Sequence, residues 1–238
     1  MKVKGEKVGL EVLVDDESGE LLGLEIIVSE KADEIVDIVR GVAEKVDAEV
    51  LISDDLDSYK KVADDLDLDH QTCRSHINRN VEDGVESMRK QAQKEKDEVP
   101  EGVDSSLDRL EADLDKVLDI VRKRPDDGLE QLEKLYHRYK AAPPPRKGQK
   151  HSVWYRMRML ITRRLENWHR LTLDLRRDDL ELDGTNNSAE RLIGWFIKER
   201  YRTMRAYKRI ESIKNVVTLT ARMGVRSGTY DMAELFTA

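Results

Sequence analysis

AEVLISDD, residues 48–55, is a short apolar run that ends in two adjacent acids. This pattern is typical of a buried central strand, because both faces of such a strand are covered while its carboxyl end emerges at the edge of the sheet. Open α/β sheets bind their ligands at that edge. The stretch therefore predicts that Asp54 and Asp55 lie where ligand chemistry takes place.

The segments around this strand predict an α/β fold. Residues 7–14 and 21–28 are β-branched and apolar, and they flank DDESGE, which has the Asp, Ser and Gly of a hairpin turn. Residues 31–46 then place apolar side chains at helical spacing. After the strand, residues 56–66 predict a short helix and residues 69–73 a further short strand. The order hairpin, helix, strand predicts a mixed sheet rather than a doubly wound one.

The middle of the chain, residues 77–180, is polar and predicted to be helical. An apolar stripe runs over residues 107–121 with Ser105 as its expected cap, and a second helix follows it. The sequence AAPPPRKGQK, residues 141–150, must interrupt any helix and is the clearest linker in the chain. Residues 152–176 then predict a basic helix with one apolar side.

The charge is distributed unevenly along the chain. The net charge of −7 taken alone argues against a nucleic-acid partner. Residues 1–100, however, carry 27 acids and 14 Lys or Arg, whereas residues 146–209 carry 17 Lys or Arg and 8 acids. The asymmetry predicts a basic half that faces an anionic ligand.

The remaining composition predicts a soluble intracellular protein. No stretch is apolar enough to span a membrane, and the N-terminus has no apolar signal-peptide core. The single cysteine, Cys73, excludes an intrachain disulfide and fits a reducing compartment.

A second informative stretch is residues 185–209, TNNSAERLIGWFIKERYRTMRAYKR, in which Glu190 is followed by seven Lys or Arg and one further acid. Two interpretations are open. Asn187 as a helix cap with Glu190 three residues later is close to a capping box. Alternatively, Glu190 is a metal ligand at a nucleic-acid surface.

Asp54 and Glu190 together fit the chemistry of phosphoryl transfer. Two divalent ions held by carboxylates would stabilise the attacking and leaving oxygens of an in-line displacement at phosphorus. Aromatic residues interleave with the nearby cations and could either pack in a core or stack on bases; they are Trp195, Phe196, Tyr201 and Tyr207.

Three segments in order resemble the DDE transposases of bacterial and archaeal insertion sequences, close to the mutator-type group. They are ISDDLDSY at 52–59, CRSHINRNV at 73–81 and GTNNSAERLIGWFIKERYRTMRAYKR at 184–209. The resemblance implies an RNase H-like core over residues 1–80 and 184–225, a helical insertion over residues 81–183 and a tail over residues 226–238.

The resemblance also implies roles for single residues. Asp54 takes the place of the second catalytic and metal-binding acid, with Asp55 as its rival, and Glu190 takes the place of the third. Cys73 and His76 match a C-x-x-H element, for which a structural role near the site is expected rather than metal binding. His70 and the other histidines are expected to be ordinary surface or helix residues.

The cofactor implied by the resemblance is Mg²⁺ or Mn²⁺ of the two-metal type. The residues expected to hold the DNA backbone are Asn187, Arg191, Lys198, Arg200, Arg202 and Arg205.

One part of the family pattern has no counterpart in the sequence. The first acid should lie on a strand just before KVKGEKVGLEVLV, but the chain begins at that segment. Asp15 and Asp16 fall in the hairpin turn, where a turn role is expected. The chain is therefore expected to be an N-terminally truncated transposase that carries two acids of the triad.

The function that the resemblance implies is metal-dependent cleavage and strand transfer of transposon DNA, by a protein that forms a homo-oligomer on DNA and does not bind membranes. The location it implies is the prokaryotic cytoplasm, in association with the nucleoid when the protein is bound to DNA. The main alternative is a catalytically inactive DNA-binding remnant, or an inhibitor of a full-length transposase. Two further alternatives are an oligomerisation module in which Glu190 is only a cap, and an RNase H-like nuclease that does not transpose.

Overall fold

The computed structural model describes residues 2–3, 6–7, 9–27, 31–94, 99–194, 215 and 218–219. The chain divides into two compact units: residues 1–70 with residues 186–238, and residues 71–185. Within the described residues the fold is mixed α/β and mostly helical. The predicted α/β class is therefore confirmed.

The first unit begins with two antiparallel strand pairs. The short strands β1 (Lys2–Val3) and β2 (Glu6–Lys7) pair with each other. Strands β3 (Gly9–Val14) and β4 (Leu21–Ile27) form the predicted hairpin, with Gly9 opposite Ile27 and an irregularity between Leu13 and Val14. The turn between them is closed by the Asp15 amide, which donates to the Glu20 carbonyl over 2.9 Å.

Helix α1 (Ala32–Val46) covers the hairpin, as its apolar periodicity predicts. Ile35 and Val39 are fully or almost fully buried and share a core with Ile27 and with Val62. Asp47, in the left-handed conformation, ends the helix, and its amide donates to the Ala43 carbonyl.

The apolar run that ends at Asp54 and Asp55 forms a strand, as predicted. Strand β5 (Val50–Ser53) is followed by helix α2 (Asp57–Asp65) and strand β6 (Asp69–Thr72), and β5 pairs with β6. The Asp69 amide donates to the Glu49 carbonyl over 3.0 Å, so the starts of the two strands lie side by side. This is the arrangement of a parallel pair joined by a helical crossover.

Within the described residues, the strands form three separate two-stranded sheets, β1–β2, β3–β4 and β5–β6. An RNase H-like core would require strands from these pairs to join in one mixed sheet. That finer assignment stays a prediction.

The second unit is helical. Its helices are α3 (Arg74–Lys94), α4 (Leu107–Lys123), α5 (Gly128–Tyr139), α6 (Val153–Glu166) and α7 (Trp168–Leu171), followed by a short 3₁₀ helix, Leu173–Leu175. Their apolar faces enclose a core in which Trp154 and Tyr139 are the largest fully buried side chains. The linker at residues 141–150 contains no helix or strand, as predicted.

Two local predictions in this unit are wrong. The cap of α4 is Ser106, whose hydroxyl accepts from the Arg109 amide, while the Ser105 hydroxyl lies 3.0 Å from the Tyr139 hydroxyl. The predicted helix 152–176 is broken after Glu166 and again after Leu171. At the first break the Asn167 side-chain amide donates to the Arg163 carbonyl. This bond satisfies a carbonyl that would otherwise accept from a backbone amide in the next helical turn, so the helix can end there.

Candidate functional site

Asp54 directly follows β5, at the carboxyl end of the strand. One of its carboxylate oxygens, Oδ1, accepts a hydrogen bond from the Leu56 amide over 3.1 Å. This short-range bond fixes the turn between β5 and α2 and holds the Asp54 side chain in one orientation.

Ser53 and His70 support the backbone at Asp54. The Ser53 hydroxyl donates to the Asp54 carbonyl over 3.0 Å and lies 2.9 Å from Nε2 of His70. A hydroxyl has one hydrogen, so if it is given to the Asp54 carbonyl, the His70 Nε2–H must be the donor to Ser53. Both side chains are buried. The prediction that His70 is an ordinary surface or helix residue is therefore wrong, because β6 carries it into the interior beside Ser53.

Asp55, the rival of Asp54, has a different environment. Its side chain is 4% exposed and lies 2.9 Å from the Lys60 ammonium on α2. A buried carboxylate requires such a partner, since leaving the charge uncompensated in the interior costs several kcal/mol. The Asp55–Lys60 ion pair thus ties the turn after β5 to the first turns of α2.

The C-x-x-H element lies at the start of α3. Cys73 is a fully buried free thiol, and His76 is partly buried on the first turn of the helix. Within the described part of the chain, no group of three or more His, Cys, Asp or Glu side chains is arranged to hold a metal ion. The buried thiol is consistent with the structural role expected for Cys73.

The C-x-x-H element is bonded to the G-T-N-N segment. The Arg74 amide donates to the Gly184 carbonyl over 2.8 Å. Gly184 has a φ of +71°, and a Cβ atom there would lie 2.7 Å from Oδ2 of Asp174. Only glycine meets both conditions without strain.

A buried ion pair lies beneath Gly184. Arg124, at the end of α4, donates to both carboxylate oxygens of Asp174 over 2.6 and 2.8 Å and to the Leu171 carbonyl over 3.1 Å. The side chains of the pair are each 6% exposed. The Asp174 amide in turn donates to the side-chain carbonyl of Gln71, three residues before Arg74. The network therefore fixes Gln71, three residues before Arg74, and Asp174, whose carboxylate lies against Gly184.

Glu190 lies on helix α8 (Asn187–Arg191), in the first unit. The predicted cap at Asn187 is wrong, because Asn186 is the cap position and Asn187 is the first helical residue. The Asn186 side chain makes no capping hydrogen bond, so the near capping box is not formed. Glu190 is exposed, and its amide donates to the Asn186 carbonyl over 3.0 Å.

The hairpin turn contacts the helix that carries Glu190. The Ser188 hydroxyl lies 3.3 Å from the carbonyl and from Oδ1 of Asp16, and α8 packs against β3. Asp15 accepts from the amide and the hydroxyl of Ser18 over 2.8 and 2.6 Å. These two hydrogen bonds hold the pKa of Asp15 below its ordinary value, and the bond from the Ser18 hydroxyl has the larger effect. The turn role expected for Asp15 and Asp16 is confirmed by these contacts.

A buried acid on β3, Glu11, was not predicted from the sequence. Glu11 is 4% exposed, and its Oε2 accepts from the Tyr59 hydroxyl over 2.8 Å. The signal was present, because strand alternation puts Glu11 on the same face as Leu13, which packs in the core. An acid at such a position requires a polar partner inside the fold.

The residues predicted to bind DNA are described only in part. Asn187 is half-buried and Arg191 exposed, at the two ends of α8. The predicted DNA-backbone residues Lys198, Arg200, Arg202 and Arg205 lie outside the described residues. The aromatic residues considered for base stacking, Trp195, Phe196, Tyr201 and Tyr207, lie outside them as well.

Comparison with known protein families decides the assignment. The model of the family described as "Transposase IS66 family" matches residues 29–208, about three quarters of the chain. The chain belongs to the IS66 family of transposases. The IS66 match covers the first two motif segments and all but the last residue of the third, and it contains Asp54, Cys73, His76 and Glu190.

Membership in the IS66 family identifies the chain as a transposase of insertion sequences and implies DNA as its partner. No curated protein and no solved structure matches the chain. Among the described residues, no helix is long and apolar enough to cross a membrane.

Proposed function

We propose that this IS66 transposase cuts and joins DNA through a DDE-type carboxylate site to which Asp54 and Glu190 belong. The observation that carries the proposal is the position of Asp54 at the carboxyl end of β5, with its side chain fixed by the Leu56 amide. This edge is where α/β sheets bind ligands. The ion pair of Asp55 with Lys60 supports Asp54, rather than Asp55, as the reactive acid.

The donor chemistry of this pair fits Mg²⁺ or Mn²⁺. Both ions prefer carboxylate oxygens, and Mg²⁺ keeps several waters and needs only one or two protein carboxylates. Asp54 and Glu190 would supply those oxygens. When bound, such ions stabilise the charge that develops on the attacking and leaving oxygens at phosphorus.

The other motif residues would position the acids and the DNA. A structural role fits the buried Cys73 and the nearby His76. Arg74, between them in sequence, is hydrogen-bonded to Gly184 in the G-T-N-N segment that precedes α8. The cations on and after α8 would hold phosphates without selecting a sequence. They are Arg191, Lys198, Arg200, Arg202 and Arg205, with Asn187 as a neutral donor.

The wider assignment is part of the same proposal. It comprises an RNase H-like core over residues 1–80 and 184–225, an inserted helical domain over residues 81–183, a tail over residues 226–238, a likeness to the mutator-type group and a homo-oligomer assembled on DNA. The α/β first unit and the helical second unit support the order of core and insertion.

One alternative is a chain that binds DNA without cutting it, or that inhibits an active transposase. The excess of cations in residues 146–209, with 17 Lys or Arg and 8 acids, supports DNA binding and does not require the carboxylate site.

The test is a nicking assay on supercoiled plasmid DNA, with Mg²⁺ or with a chelator. We expect Mg²⁺-dependent nicking by the wild type and a loss of more than about 100-fold in Asp54→Asn and in Glu190→Gln. Asp57→Asn is the matched control, because Asp57 is an exposed acid three residues from Asp54. Equal nicking by all four proteins would overturn the proposed site. Metal-independent DNA binding with no nicking by any of them would favour the alternative.

A further inference from the structure

A long segment of the second unit has no acidic residue. From Lys134 to Leu165 the sequence carries ten Lys or Arg and no Asp or Glu. At the mean acid density of the chain, with 49 acids in 238 residues, a segment of this length would hold about seven. The segment comprises the last turns of α5, the linker 141–150 and nearly all of α6.

The Arg158 side chain joins α6 to the end of α5 and the start of the linker. The Arg158 guanidinium donates to the Ala142 carbonyl over 2.6 Å and to the Lys140 carbonyl over 3.3 Å. Arg158 therefore lies beside the exposed Lys140, and the exposed Arg146 and Lys147 follow within a few residues along the linker. We call the group formed by Lys140, Arg146, Lys147 and Arg158 the basic corner.

No cation of the basic corner pairs with a carboxylate within 4 Å in the described part of the chain. Arg158 binds neutral oxygens, and Lys140, Arg146 and Lys147 are exposed. Other cations of the same unit behave differently, because each pairs with a carboxylate within 4 Å. They include Arg89, Lys90, Arg122, Lys123, Arg124, Lys134 and Arg138. The contrast distinguishes a cationic surface from the paired charges that cover the rest of the helices.

Aromatic packing holds Arg158 of the corner in addition to its hydrogen bonds. The Arg158 guanidinium lies 4.8 Å from the centre of the Tyr155 ring, and His151 contacts the same ring edge-on at 5.2 Å. Packing on the ring and bonds to two carbonyls hold Arg158 in place. An ordered guanidinium loses less conformational entropy when it binds an anion than a mobile one does.

We propose that the basic corner is a second DNA-binding surface, which holds the phosphate backbone of duplex DNA on the helical unit. The inference rests on the proposed function, since the transposase supplies DNA as the polyanion. It goes beyond that function because the corner lies in a different unit from α8 and does not involve the metal-binding acids. Contacts of this kind add affinity without sequence preference and weaken steeply with salt.

The experiment measures binding of the full chain to a short duplex of arbitrary sequence by fluorescence anisotropy, over a salt titration without divalent metal. The test variant is Lys140→Gln/Arg146→Gln/Lys147→Gln, which changes three exposed side chains and leaves the core intact. The control is Lys90→Gln/Lys123→Gln/Lys134→Gln, which removes the same number of charges from the same unit. Each control lysine pairs with an acid one helical turn away.

We expect the test variant to lose at least about tenfold in affinity at low salt, and the slope of log K against log salt to become shallower by about 2 to 3. The control should change the slope by less than about 1. Equal losses in the two variants would overturn the inference, because they would reflect net charge alone. An unchanged slope, or a loss of binding to anionic lipid vesicles with DNA binding intact, would overturn it as well.

The two proposals fail separately. Asp54→Asn and Glu190→Gln remove no cation, so they test cleavage without changing the corner. If those variants lose cleavage while the corner variant binds DNA like the wild type, the proposed function stands and the second surface is refuted.

Discussion

The Arg74 amide and the Gly184 carbonyl are joined by a 2.8 Å hydrogen bond, although the two residues are 110 positions apart. The bond connects the C-x-x-H element to the segment that leads into the helix of Glu190. Arg74 and Gly184 lie near the two ends of the second unit's sequence, and the helices of that unit lie between them along the chain. The hydrogen bond therefore brings two motif segments that are distant in sequence into direct contact.

Gly184→Ala should destabilise the protein by about 1 to 3 kcal/mol. The substitution combines a positive φ of +71° with a Cβ placed 2.7 Å from the Asp174 carboxylate. Gly148→Ala is the matched control, since Gly148 has a φ of +85° and no atom within 4 Å of the added Cβ. Urea denaturation should show a larger loss for Gly184→Ala. Equal losses would mean that backbone strain alone, and not the contact with Asp174, requires glycine.

Arg124→Met should cost about 3 to 5 kcal/mol, because it leaves the buried Asp174 carboxylate without its charge partner. Arg122→Met, which breaks the exposed pair with Glu82, should cost about 1 kcal/mol or less. The free energy of unfolding of each variant provides the measurement. A loss at Arg124 no larger than the loss at Arg122 would show that the buried pair does not stabilise the unit.

His70→Leu should destabilise the protein by about 1 to 3 kcal/mol, since Ser53 then loses its buried partner. His70→Gln should recover part of the loss, because a glutamine amide can donate from nearly the same position. The direct test is the ¹⁵N NMR spectrum of His70, which should show the proton on Nε2. A neutral ring with its proton on Nδ1 alone would contradict the assigned direction of the bond.

Ser18→Ala should raise the pKa of Asp15 toward its ordinary value, because the larger of the two hydrogen bonds that lower it comes from the Ser18 hydroxyl. The Ser18 amide remains, so the rise should be partial. A depressed pKa in the folded state stabilises the fold above the unfolded pKa, and this contribution is lost as the pH falls through the folded value. An NMR titration of the Asp15 carboxyl measures the change, with Ser18→Thr as the control that keeps the hydroxyl. A pKa that does not move would assign the effect to the amide alone.

The sequence was sufficient to predict the hairpin, α1, β5, α2 and β6. The hairpin strands, α1 and β5 each follow a hydrophobic pattern, and the apolar run of β5 ends at two adjacent acids. Asp54 was placed correctly after the strand for the same reason, since the apolar run of β5 stops at Ser53.

Side-chain partners from distant segments could not be predicted in this way. His70 has no motif around it, and its burial depends on β6 pairing with β5. The choice of Ser106 over Ser105 as the cap of α4 depends on the Tyr139 hydroxyl, which lies close to Ser105. Arg124 and Asp174 are 50 residues apart, and nothing in the sequence around either one indicates that they pair.

The most direct test of the central claim asks whether Asp54 and Glu190 hold the same metal ion. Fe²⁺ can replace Mg²⁺ at carboxylate sites, and with ascorbate and peroxide it generates radicals that cut the chain next to the ion. We predict cuts near residue 54 and near residue 190 in the wild type, both suppressed by excess Mg²⁺ and both lost in either Asp54→Asn or Glu190→Gln. Cuts near residue 54 that persist in Glu190→Gln, or cuts at neither position in the wild type, would contradict the account.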